Sequence, residues 1–160
     1  MAEPRIERIL QETERRYALP EWAAHDLRAS IESSPYLASV MRKAIEQGDL
    51  KEIHLADVPG QSGHYNADTK SISLSPELFL WTKQQERVDM LTGVLGHETG
   101  HALMARSTLL SVESYGHLVE SAIRSGSASG ASTVDVTAHA KSYVNAFRQN
   151  EAFAELLSIN

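Results

Sequence analysis

His97-Glu98-Thr99-Gly100-His101 places two imidazoles and a carboxylate within five residues. On an α-helix, residues four apart lie about 40° from each other around the axis, one turn up. His97 and His101 therefore share a face and reach a single Zn²⁺ at about 2.0–2.1 Å from each ring nitrogen. Glu98 points to the flank of that face, where it can take a proton from a water in the metal's open position. The stretches Leu91 to Leu95 and Ala102 to Met104 on either side are mainly apolar. Such a helix is largely buried, where unpaired histidines and a glutamate are costly and a metal removes the cost. The plainer alternative is a helix whose two histidines only pack or face solvent. Gly96 and Gly100 weaken helix propensity but let another backbone or a substrate come close.

Composition limits what else can hold a metal. The chain has 160 residues, fifteen Lys+Arg, twenty-one Asp+Glu, seven His and no Cys, for a formal net charge of −6. Without cysteine there is no disulfide framework, thiolate zinc site, thiol nucleophile or iron–sulfur cluster. The acidic balance excludes a general nucleic-acid binder, which needs a basic face. A catalytic zinc needs a third protein ligand and an open fourth position. The metzincin pattern requires Gly at 104 and His at 107, where this chain has Met104 and Ser107. The deformylase arrangement requires a cysteine. Glu113, His117, Glu120, Asp135, His139, Glu151 and Glu155 remain as candidates for the third ligand. Tyr143, His139, His117 and Tyr115 are candidates to steady a developing oxyanion, though each residue type is more often a packed ring or a surface histidine. Tyr143 lies eight residues before Glu151, about two turns up the same helix.

The pattern predicts one domain over 1–160, mainly α, with a small antiparallel β-hairpin or sheet beside the motif helix. Residues 1–48 read as three helices. Ile6, Ile9, Leu10, Thr13 and Tyr17 mark the first, and Trp22, Ala23, Leu27 and Ile31 the second. Tyr36, Leu37, Val40, Met41, Ala44 and Ile45 mark the inner face of the third, with Gly48 as its cap. Residues 51–75 read as the β region: a strand at Lys51–Ala56, then a hairpin turning at Ala67–Lys70. Ser75-Pro76-Glu77 caps a short helix. The motif helix spans 84–106 and a further helix runs from Leu109 to Arg124. Ser125–Ser132 is a small-residue loop, and 133–158 is the last helix.

Asn150-Glu151-Ala-Phe-Ala-Glu155, taken with the His97–His101 motif, resembles the gluzincin class of zincin metallopeptidases. That resemblance implies that Glu151 is the third zinc ligand. It also implies that Glu155, one turn on, accepts a hydrogen bond from a zinc-binding histidine, a common arrangement around zinc. Glu120 is the rival ligand: it lies nineteen residues after His101, but Val119 precedes it and Arg124 occupies its i+4 position. In zincins an edge strand above the site pairs with the substrate backbone, a role the hairpin over 63–75 could fill by strand addition. A short sheet that only roofs the core is the plainer reading.

A narrower resemblance rests on Ser34-Pro-Tyr-Leu37, Val40-Met41, Gly63–Pro76, Thr92–Ala105 and Asn150–Glu155. Together these are similar to peptidase domains near the N-termini of antibacterial type IV secretion effectors of Xanthomonas-like bacteria, over about residues 30 to 160. It implies a toxic module of a longer parent chain with a C-terminal secretion domain, a cognate immunity protein, and delivery into a target bacterium. Residues 1–8 hold no apolar run ahead of a cleavage site and no stretch reaches the length of a membrane span. The expectation is a soluble protein secreted without an N-terminal signal, or otherwise cytoplasmic.

The expected activity is zinc-dependent hydrolysis of a peptide or protein, with Glu98 as general base. Two other readings stay open: hydrolysis of peptidoglycan cross-links on the same fold, and a non-catalytic, zinc-stabilised interaction module whose site is closed by a fourth protein ligand.

Overall fold

Pro4 and Pro35 each open a helix at the position where a missing N–H is harmless. In the computed structural model, which describes residues 3–130 and 132–159, α1 spans Pro4–Tyr17, α2 Glu21–Glu32 and α3 Pro35–Glu46. α1 buries Ile6, Ile9, Leu10 and Thr13, the spacing of one helical face. It ends at Ala18, whose φ of 47° is left-handed, just ahead of Pro20. Ser34 caps α3 by accepting from Leu37 N at 3.1 Å, and Gly48, at φ 73°, turns the chain after it. The expected inner positions Leu37, Met41 and Ala44 are buried, whereas Tyr36 and Trp22 are exposed. Both lie near a helix start, beside rather than on the buried stripe. Trp22 instead meets Phe79 edge-on and lies under the Arg87 guanidinium.

Three strands follow: β1 Glu52–Leu55, β2 Gly63–Asn66 and β3 Ser71–Leu74. β2 and β3 form the expected hairpin. Asn66 Oδ1 accepts from the backbone N–H groups of Asp68 and Thr69 and holds the turn. The sheet order is β1-β3-β2, with β1 parallel to β3. It is thus mixed rather than purely antiparallel, because the segment between β1 and β2 carries the chain past the site of β3 before the hairpin returns. Ile53, Ile72, Leu74 and Tyr65 are buried. Thr13 donates to the Ile53 carbonyl at 2.9 Å, fixing α1 to β1. A short 3₁₀ turn, Pro76–Phe79, is capped by Ser75.

α4 spans Gln84–Ala128 and α5 Thr137–Ile159. The expected break near Arg106 does not occur. No proline interrupts the stretch, and Ser107 and Ser111 return their hydroxyls to the Met104 and Ser107 carbonyls inside the helix. The first four residues of the expected loop over 125–132 continue α4. Gly130, at φ 73°, follows in a turn, and residue 131 lies outside the described residues. α5 starts four residues later than expected, where the Asp135 carboxylate accepts from Thr137 N. No helix among the described residues is long and apolar enough to cross a membrane.

The chain divides into two compact units, residues 1–103 with 153–160, and residues 104–152. The first holds nearly all the buried apolar side chains, with Leu10, Leu27, Ile31, Met41, Ile72, Leu91 and Leu95 at its centre. Asp26 is fully buried there and paired with Arg87 at 2.6 Å. The second is a helical hairpin closed by aromatic rings. Tyr143 stacks on Tyr115, with centroids 4.7 Å apart, and lies 4.8 Å from Phe147. Asn150 Nδ2 donates to Thr108 Oγ1 at 2.7 Å.

Candidate metal centre

The motif residues lie in the best-buried part of α4, where Leu95, Gly96, Glu98, Thr99, Gly100 and Ala102 are all buried. His97 and His101 stand one turn apart with their rings at 81° to each other, and their Nε2 atoms face each other at 3.0 Å. Two nitrogens sharing one tetrahedral zinc lie about 3.3 Å apart, given Zn–N of about 2.0–2.1 Å. The pair is therefore spaced as two ligands of one ion are spaced. The other nitrogen of His97, Nδ1, lies 3.4 Å from Glu155 Oε2, the position from which a carboxylate orients a metal-binding imidazole.

What brings Glu155 there is the packing of α5 on α4 through positions that lack side chains. A Cβ added at Gly96 would lie 2.5 Å from the Leu157 carbonyl oxygen. One added at Gly100 would lie 2.5 Å from Ala154 Cα. Gly96 and Gly100 thus serve another backbone. Ala154 is fully buried against this contact. Its part was not visible in advance, although small residues at 96, 100 and 154 are the signal that could have pointed to it.

Glu151 precedes Glu155 by one turn of α5, so the two share a face. Among the described residues, one group of three or more His, Asp or Glu side chains offers ligand atoms close enough to hold an ion. It consists of His97, His101 and Glu151, within 4.8 Å of one another. Two imidazole nitrogens and one carboxylate oxygen form a donor set that suits zinc and leaves a fourth position open. Glu120 is placed otherwise: it pairs with Arg124 at 3.3 Å on an exposed surface. Tyr143 is engaged in the stack with Tyr115 and Phe147.

Glu98 is 6% exposed. Gly63, the first residue of β2, lies against it: a Cβ built there would be 3.1 Å from Glu98 Cγ and 3.2 Å from Glu98 Oε1. The sequence places Gly63 at the start of the hairpin expected above the site but gives it no part of its own there. β2 is an edge strand of the sheet. No family model, curated protein or solved structure matches the chain.

Proposed function

We propose that this chain is a zinc-dependent peptidase of the gluzincin kind, with His97, His101 and Glu151 as the residues that would hold the ion. The observation that carries the reading is the 3.0 Å opposition of the two Nε2 atoms, backed by Glu155 and flanked by the buried Glu98. When bound, zinc supplies Lewis acidity, which polarises a carbonyl and brings the pKa of water down toward about 7. Glu98 accepts the proton of the attacking water as the C–O bond forms, and returns it to the amine as the C–N bond breaks. Its burial keeps the carboxylate at the flank of the histidine face. Glu155 holds the His97 ring in the orientation that leaves Nε2 toward His101.

The test pairs metal analysis with turnover. Purified chain should carry about one zinc and cleave an unfolded protein such as reduced casein. Glu98→Gln should keep the zinc and lose turnover by on the order of 10²–10⁴-fold. Undiminished turnover in that variant would overturn the reading. Purified sacculi, digested in parallel, separate a peptidoglycan target from a protein one. A toxin role predicts growth arrest when the wild-type chain, but not Glu98→Gln, is exported to a bacterial periplasm.

A further inference from the structure

We propose that Gly63 is a positioning residue for Glu98: the absence of a side chain at the start of β2 sets where the proton-carrying carboxylate rests. The inference builds on the assignment of Glu98 as the general base. Gly63 has none of the usual conformational reasons to be glycine. The positive-φ glycines are Gly48, Gly60 and Gly130, so Gly63 adopts a backbone open to any residue. It is the space that demands glycine. An added Cβ would lie 2.5 Å from Val94 Cγ1, 3.1 Å from Glu98 Cγ and 3.2 Å from Glu98 Oε1.

Neither side can retreat easily. Gly63 is tied into the sheet opposite Leu74, and the neighbouring Ser62 carbonyl accepts from Ser75 N at 2.9 Å. Val94 is β-branched, and such a side chain on a helix is held to essentially one rotamer. Its turn of α4 is anchored by the fully buried Leu91 and Leu95. Val94 meets the hardest overlap, at 2.5 Å, and the Glu98 side chain, at 3.1–3.2 Å, must give by a few tenths of an ångström. A side chain at 63 therefore presses on the carboxylate as well as on Val94, and the bare backbone of β2 forms the wall on that side of Glu98.

Two measurements test this, and the first needs no activity. In metal-free protein, the denaturation midpoint is compared for Gly63→Ala, Glu98→Ala and the double variant. Confinement predicts coupling, with Gly63→Ala lowering the midpoint less in the Glu98→Ala background. Strictly additive losses would overturn the proposal. The second is kinetic. Gly63→Ala should retain zinc and KM while kcat falls by roughly 3–10-fold, since a shift of a few tenths of an ångström is short of the about 1 Å misplacement that costs roughly 100-fold. Gly63→Ala/Val94→Ala removes the closest clash, keeps the test open should Gly63→Ala fold poorly, and should regain stability while kcat stays low. Full recovery of kcat in that variant would show that Val94 alone was disturbed and would refute the assignment to Glu98. If wild-type chain cleaves no peptide, the peptidase reading fails by itself, and the denaturation cycle still decides whether Gly63 confines Glu98.

Discussion

The His97 ring is held from both ends: Nε2 lies 3.0 Å from His101 Nε2, and Nδ1 lies 3.4 Å from Glu155 Oε2. A carboxylate at the second nitrogen fixes the tautomer and raises the basicity of the first. Glu155→Gln should therefore weaken zinc binding by about 10–100-fold. The Glu155 side chain is 68% exposed, so folding should be unaffected. Competition against a chromogenic chelator measures the affinity, and an unchanged Kd would show that the carboxylate is only a surface charge.

Glu151 and Glu120 separate cleanly by substitution. On the proposed ligand set, Glu151→Ala should abolish zinc binding. Glu120→Ala removes one arm of an exposed pair with Arg124, worth roughly 0.3–0.5 kcal/mol, and should leave metal content untouched. Zinc retained in Glu151→Ala would move the third ligand elsewhere.

Gly100 and Gly116 sit on the same helix and should respond in opposite ways. Gly100→Ala forces a Cβ to within 2.5 Å of Ala154 Cα, and overpacking of this kind costs about 1–3 kcal/mol. Because it pushes α5 off α4, zinc affinity should fall with stability. At Gly116 an added Cβ meets nothing within 4 Å. Gly116→Ala should stabilise by roughly 0.4–1 kcal/mol through helix propensity. Denaturant titration of both variants checks the contrast.

Asp26 is fully buried and bonded to Arg87 Nε at 2.6 Å and Gln84 Nε2 at 3.0 Å. These contacts fix the first turn of α4 to α2. Arg87→Met leaves the carboxylate buried without its cation and should cost about 3–5 kcal/mol. The double variant Arg87→Met/Asp26→Leu should recover much of that, since an apolar replacement of a buried pair is often neutral. Equal losses in the two variants would count against a charge-based origin.

Burial, reinforced by the nearby Asp49, pushes the Tyr65 phenol up to about 12 from its ordinary 10. Its hydroxyl donates to the Asp49 carbonyl at 2.6 Å. The raised value means the folded chain keeps a proton that the unfolded chain releases near pH 10. This contribution to stability is complete below pH 10 and is lost as the pH rises toward 12. The denaturation midpoint should fall through that window, and Tyr65→Phe should flatten the fall.

Much of the fold was legible because its signals are local. Pro4, Ser34-Pro35 and Gly48 mark helix ends by backbone chemistry, and Ala67 to Lys70 marks a turn. The parallel pairing of β1 with β3 was not legible, since strand order depends on where a connecting segment crosses. The length of α4 was misjudged at Ser107, because serine favours loops on average yet can bond back into its own helix. At the candidate site, His97, Glu98 and His101 were legible from the five-residue motif, whose helical spacing puts both imidazoles on one face. Gly63 and Ala154 were not, because their contribution is the room they leave for a residue distant in sequence.

The backbone contact of Gly96 and Gly100 with α5 bears on how this chain could diverge. A descendant could exchange surface charges, the Tyr115–Tyr143 stack or the hairpin tip and still present the same face. Replacing either glycine with a larger residue would move the helix that bears Glu151 and Glu155, even with every motif letter intact. Distant kin are therefore better sought by the joint spacing of 96, 100 and 154, small residues on two helices, than by the five-residue motif that first draws the eye.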